Sequence, residues 1–301
     1  MRRPLLVGAL ALATLLSACS HAASPPPGKS RSAGITTPAG YTGPPVTVLL
    51  VGDSTATTLA PALQQTESRY HAVLVDGSTF MCGVAIGAES SSDNGRGPTM
   101  AMVPACNSAT PPDQQWPALW QKKIARYHPQ VVALLAGRWE TTDRTYQGKW
   151  MNIEDAPFAA YVARQLALAI SIGTSNGAHM DLLTTACADS APLFASMHKP
   201  DTAVEDDSPA RLAIYNRLLR EAAAGNPAVS IVDFDAILCP GGNFHRYLDG
   251  VQVRPLDGVH TPSTSPSNPF IDNSSAPVAA AFARWIGPRL WPKLLAPVIG
   301  A

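Results

Sequence analysis

From Val46 onward the chain alternates short apolar runs with amphipathic stretches. "VTVLLVG" (46–52), "HAVLVDG" (71–77), "PQVVALLAG" (129–137), "HMDLLTTA" (179–186) and "AVSIVDF" (228–234) read as strands with little or no polar face. Helical spacing occupies 55–69, 114–127, 154–176, 208–225 and 276–291. The 208–225 segment opens on Ser208-Pro209 and closes on Gly225, which are good start and stop signals. A strand that is apolar on both sides must be covered on both sides. A helix between two such strands carries the chain back to the same edge, so the strands run parallel. The pattern predicts an α/β fold with a parallel sheet between two helical layers. It holds no internal repeat. A polar Gly/Ser/Asn-rich loop is expected over 87–113, and an irregular acidic loop before Asp207.

The N-terminal residues do not fit that pattern. "MRRPLLVGALALATLLSACS" has a basic start at Arg2 and Arg3 and an apolar stretch from Leu5 to Leu16. That stretch is too short to span a bilayer comfortably and fits an export signal. It ends in Leu16-Ser17-Ala18-Cys19, which resembles the bacterial lipobox, where the cysteine is lipidated and becomes the first mature residue. An ordinary cleaved signal with a chance cysteine is the alternative. Residues 20–43 are rich in Pro, Ser and Gly and predict an extended tether. The expected organisation is a lipoprotein-type signal over 1–19, a tether over 20–43 and one domain over 44–301, held at the extracytoplasmic side of the cell membrane by the lipid alone. Of the 301 residues 46% are apolar, enough for a sizeable core, and 22 basic residues balance 22 acidic ones. That neutral balance gives no footprint for nucleic acid.

With Cys19 set aside, four cysteines remain, an even number in an exported chain. The favoured pairing is Cys82–Cys106, closing a short polar loop, and Cys187–Cys239, joining the exits of two strands expected to be neighbours. Each would be worth about 3 kcal/mol by loop entropy. None of the four sits in a CxxC or CxxH pair, so a metal site is disfavoured.

The first strand ends in Gly52-Asp53-Ser54 and passes directly into a helix. In open α/β sheets, reactive groups gather at the carboxyl ends of the strands. A helix N-terminus adds backbone N–H groups suited to a developing anion. Ser54 alone is more simply a helix cap. A second motif changes that balance: "RPLDGVHTP" (254–262) puts Asp257 three residues before His260, just ahead of the last helix. A serine nucleophile needs a base, and the base needs an acceptor to fix its tautomer.

Together, Gly52-Asp53-Ser54 near the start and Asp257-x-x-His260 near the end resemble the SGNH (GDSL) hydrolase family over essentially the whole domain. The resemblance implies a flavodoxin-like three-layer sandwich with a mainly five-stranded parallel sheet. It also implies ester hydrolysis or acyl transfer with no metal or other cofactor. Ser54 would be the nucleophile, His260 the general base and acid, and Asp257 the orienting carboxylate. The Ser54 N–H would contribute to the oxyanion hole. The lipase elbow G-x-S-x-G is absent. The family's second block supplies a glycine N–H, for which Gly83 is the better candidate and Met81 the alternative. The third block, G-x-N-D, reads Gly137-Arg138-Trp139-Glu140 here and lacks the asparagine donor. Arg138 would either replace that donor or pair with Glu140 or Asp143. "GRWE" followed by Asp143 is similar to the divergent SGNH domains that accompany membrane acyltransferases of the acyltransferase-3 type, which act on cell-surface sugars. The implied partners are an acylated carbohydrate or other ester substrate and a membrane acyltransferase.

The other conspicuous residues have plainer readings. His71, His128 and His245 lie at element edges, and Trp116, Trp120, Trp285 and Trp291 belong to packing. Tyr146 and Trp150 are expected in a loop facing the cleft, and Ser/Asn residues 90–94 in solvated loop. Two competing functions stay open: a lipase or thioesterase for acyl-lipids, and a carbohydrate-binding lipoprotein with little or no turnover.

Overall fold

The computed structural model describes residues 43–91, 95, 99–192, 207–264 and 274–299. The signal, Cys19, residues 20–42 of the tether, positions 92–94 and most of the acidic loop before Asp207 lie outside the described residues. Five strands, β1 (Val46–Gly52), β2 (Ala72–Asp76), β5 (Val131–Leu135), β8 (His179–Leu183) and β9 (Val229–Val232), form one sheet in the order β2-β1-β5-β8-β9. Every neighbouring pair is parallel. The order reverses beside β1, so the ends of β1 and β5 flank a topological switch point, where ligand crevices open in such sheets.

The two-sided burial predicted for the strands has a direct cause. Along β1, Val46, Val48 and Leu50 pack into one core, and Leu49 and Val51 into the other. The first core is closed by α1 (Ser54–Gln64) and α7 (Ala276–Ile299), through residues such as Leu59, Leu63, Phe282 and Ile286. The second is closed by α2 (Trp116–Tyr127), α4 (Ala156–Gly173) and α5 (Pro209–Ala223). Trp116, Trp120 and Ile124 recur every fourth residue on α2, as do Phe158, Val162 and Leu166 on α4. Helix α4 is long and apolar enough to cross a membrane by length and composition, but those residues bury its inner face against the sheet.

Several local expectations need correcting. The first helix stops at Gln64, and residues 67–70 form a separate 3₁₀ turn that His71 ends with a left-handed backbone. The last helix runs beyond Trp291 to Ile299 despite Pro288, Pro292 and Pro297, because Leu294 and Leu295 continue its buried face. The region expected to be a polar loop carries β3 (Glu89–Ser91) and β4 (Thr99–Ala101). Ser90 and Ser91, expected in solvent, are buried there. Tyr146 and Trp150 lie on a hairpin of β6 (Asp143–Tyr146) and β7 (Lys149–Met151). Tyr146 stacks on Tyr161 of α4 with ring centroids 4.6 Å apart. A short hairpin, β10 (Tyr247–Leu248) and β11 (Val251–Gln252), and two short helices, α3 (Arg138–Thr141) and α6 (Phe234–Leu238), complete the described elements.

The disulfides pair as the spacing suggested, Cys82 with Cys106 and Cys187 with Cys239. The second pair fastens the exit of β8 to the end of α6. Its sulfurs lie close to Asp235 but are already bonded to each other, so they offer no thiolate to a metal.

One buried acid stands apart from the cleft. Asp181 on β8 is fully buried, and neither carboxyl oxygen has a hydrogen-bond partner among the described residues. Burial pushes its pKa up from 3.8 to about 8. His179 Nε2, 3.7 Å away, is not the compensating cation, because burial lowers its own pKa and it already bonds Ser230 Oγ at 2.8 Å. The native state therefore keeps a proton that the unfolded chain releases above its ordinary value. The contribution to stability is full below pH 3.8 and is lost as pH rises through about 8. Thermal melts should accordingly show Asp181→Asn gaining on the native protein as pH rises from 4 to 8. Parallel curves for the two proteins would refute this account.

Candidate active site

Gly52, at the end of β1, has φ +135°, and a Cβ there would lie 1.8 Å from the Leu135 carbonyl oxygen. Only glycine lets β1 and β5 meet so closely. The next residue, Asp53, caps α1: its Oδ1 accepts from the Thr55 N–H at 2.8 Å and from the Thr55 hydroxyl at 2.5 Å. Its Oδ2 accepts from the Gly137 N–H at 3.2 Å. Asp53 thus ties the turn after β1 to the turn after β5. Burial raises its carboxyl above the ordinary range, against the pull of the Thr55 hydroxyl and N–H, His260 and the Gly137 N–H. The capping role that sequence offered to Ser54 belongs to Asp53. Ser54 itself is the first residue of α1, where backbone N–H groups lack intrahelical acceptors.

His260 Nε2 lies 2.8 Å from Ser54 Oγ, and His260 Nδ1 lies 2.8 Å from Asp257 Oδ2. The other Asp257 oxygen accepts from the N–H groups of Val259 and His260, at 2.9 and 3.0 Å. Burial works to raise the Asp257 carboxyl, but the hydrogen bond and charge of His260 and these two N–H groups outweigh it and bring the pKa to about 2. An ionised carboxylate only accepts, so Nδ1 carries the proton and Nε2 is left to accept from Ser54. The turn is anchored twice: the Asp189 N–H donates to the Gly258 carbonyl at 3.2 Å, and the Thr261 N–H to Thr58 Oγ1 at 3.2 Å.

The second and third blocks meet at Glu140. This buried side chain accepts from the N–H groups of Val84 at 2.7 Å and Ala85 at 3.0 Å. Gly83 lies so near that a Cβ there would come 2.0 Å from Glu140 Oε1. Met81, the alternative, takes the left-handed backbone that ordinarily favours glycine, with φ +59°. Burial raises the Glu140 pKa to about 6, with the Ala85 N–H opposing. Arg138 engages neither Glu140 nor Asp143 by any hydrogen bond described. Its guanidinium pairs with Asp207 and reaches Ser190 Oγ at 3.5 Å, while Asp143 pairs with Arg211 at 3.1 Å. Asp207 lies 69 positions from Arg138, and no local spacing signals that partnership.

Comparison with protein families gives a match over residues 18–260 to the SGNH domain that is fused to AT3 domains. The chain belongs to this family. It is an SGNH-type serine hydrolase or acyltransferase, and its chemistry is hydrolysis or transfer of acyl esters. No curated protein matches. Among solved structures, the SGNH domain is similar to the periplasmic domain of a lipopolysaccharide acetyltransferase from Salmonella ser. Paratyphi A, at 11% identity and TM-score 0.44, over 83% of this chain and 85% of that one. A carbohydrate acetylesterase family member from Sinorhizobium meliloti gives 14% identity and TM-score 0.45, over 83% and 99%. A GDSL-like lipase from Bacteroides thetaiotaomicron gives 14% and 0.41, over 81% and 88%. The two disulfides of the SGNH domain suit an oxidising, extracytoplasmic compartment.

Proposed function

We propose that this SGNH domain is a serine esterase or O-acyltransferase acting on O-acyl groups of cell-envelope carbohydrate, with Ser54, His260 and Asp257 as its catalytic residues. The observation that carries the reading is the unbroken hydrogen-bond chain Ser54–His260–Asp257 at the carboxyl end of β1. As the Ser54 Oγ–carbon bond forms, His260 Nε2 takes the hydroxyl proton and Asp257 stabilises the imidazolium. The proton then passes to the leaving alcohol oxygen as its carbon–oxygen bond breaks. Water or a sugar hydroxyl attacks the acyl-serine, gives its proton to His260, and Ser54 is regenerated. The Ser54 and Gly83 N–H groups hold the oxyanion. Arg138, paired with Asp207, is the third candidate donor to the oxyanion. Cys19 carries the lipid, residues 20–43 form the tether, and the domain over 44–301 works at the extracytoplasmic membrane face, supplied by or supplying a membrane acyltransferase. The membership of a family fused to AT3 domains supports that partnership.

A fluorophosphonate probe followed by peptide mapping tests the chemistry. Modification is expected at Ser54, and release of free acid from O-acylated envelope carbohydrate should stop once Ser54 is modified. An unmodified Ser54 beside undiminished release would refute the reading.

A further inference from the structure

A narrow pocket opens beside Ser54 and His260, with about 510 Å³ of empty space counting its mouth. Thr55, Val259 and Thr261, the chain neighbours of those two residues, line it, and Leu135, Leu212 and Phe234 make it largely apolar. Its charged lining is Arg138, Asp207 and Arg254. Arg138 and Asp207 are paired with each other, and Asp207 also accepts from the Ser190 N–H and hydroxyl at 2.6 Å.

Arg254 is different. It is 2% exposed. One nitrogen, Nη2, donates to the Cys187 carbonyl at 3.3 Å, and the Nε–H, closed off from solvent, has no acceptor among the described residues. Asp257 and Asp235 are near enough to act on it electrostatically, but neither accepts a hydrogen bond from it. Burial lowers its pKa to about 10, so it stays cationic at neutral pH. A guanidinium buried with a single hydrogen bond is costly, and a carboxylate bound from the pocket side would relieve part of that cost through the fork geometry arginine offers.

Resting on the esterase reading above, we infer that this pocket receives the acyl group of the substrate and that Arg254, on its wall, binds a carboxylate carried by that group, so that the preferred donor is the hemiester of a short dicarboxylic acid. The narrow, mainly apolar walls suit a short methylene chain rather than a sugar ring. In the first step the Ser54 ester of the dicarboxylic acid forms, its free carboxylate on Arg254, and the alcohol leaves with the hydroxyl proton.

The test compares 4-nitrophenyl hemisuccinate with 4-nitrophenyl butyrate, a neutral chain of the same length. The native protein should favour hemisuccinate in kcat/KM by about tenfold or more, the worth of one charge-assisted hydrogen bond. Arg254→Gln should remove that preference, and Arg254→Lys should keep part of it. A purely structural role would lower both esters together and leave their ratio unchanged, which overturns the proposal. Equal or better use of butyrate by the native protein overturns it without variants and leaves the esterase reading intact. A preference for 3-acetoxybenzoate over phenyl acetate in place of the hemisuccinate preference would put the carboxylate on the alcohol side, and overturns it too. If neither nitrophenyl ester is turned over, the esterase reading fails separately. Melting curves with succinate and with butyrate then decide: stabilisation by succinate alone supports the pocket, and its absence overturns it.

Discussion

Ser54→Ala is expected to lower kcat on the order of a millionfold while leaving the melting temperature nearly unchanged. The size follows from the arrangement. The alanine variant gives up the hydrogen bond between Ser54 Oγ and His260, while the hydrogen bonds that shape the turns around it come from Asp53 and Thr58. The fold therefore loses little and the reaction loses its nucleophile. Asp257→Asn, which cannot fix the same tautomer as a carboxylate, should cost about ten-thousandfold. Steady-state rates and melts on the same preparations check both. An alanine variant within tenfold of the native rate would exclude Ser54 as the nucleophile.

Gly52→Ala should produce the largest loss of stability from a single methyl group, about 4 kcal/mol or more. The added carbon would sit 1.8 Å from the carbonyl oxygen of Leu135 at a φ of +135°, so the backbone of two central strands must part to admit it. The same movement pulls Asp53 from the Gly137 N–H and disorders the approach of Ser54 to its base. Urea midpoints measure the effect. A loss under about 1 kcal/mol would mean that β1 and β5 yield more easily than their buried packing implies.

The main sheet was legible because its strands are apolar on both faces, a pattern with few alternative folds. The segments carrying Ser54, Asp257 and His260 were legible because each is a short motif with its own local geometry. What escaped was everything whose cause lies far away in the chain. The β6–β7 hairpin looked like loop, since its strands are only 4 and 3 residues long and mostly polar. Arg138 was read either as a stand-in for the missing asparagine donor or as a partner of the nearby acids Glu140 and Asp143, while the acid it pairs with, Asp207, comes from far along the chain. Nothing local marks Arg254 or Asp181 as buried, because a charged residue in a strand or turn is ordinarily written off to solvent. Trp139 stands where the family has asparagine, and its buried indole N–H has no partner among the described residues.

Ser54 and His260 are 206 positions apart, and the turn bearing His260 is held by Thr58 on the first helix and by Asp189 beyond the fourth strand of the main sheet. During synthesis the serine emerges early and its histidine near the end, after all five sheet strands. A nascent or truncated chain therefore carries a hydroxyl with no base within reach, however much of the sheet has formed. On the proposed mechanism, esterase activity per molecule becomes a measure of how many chains have brought the His260 turn into place, and the protein stays chemically silent until then.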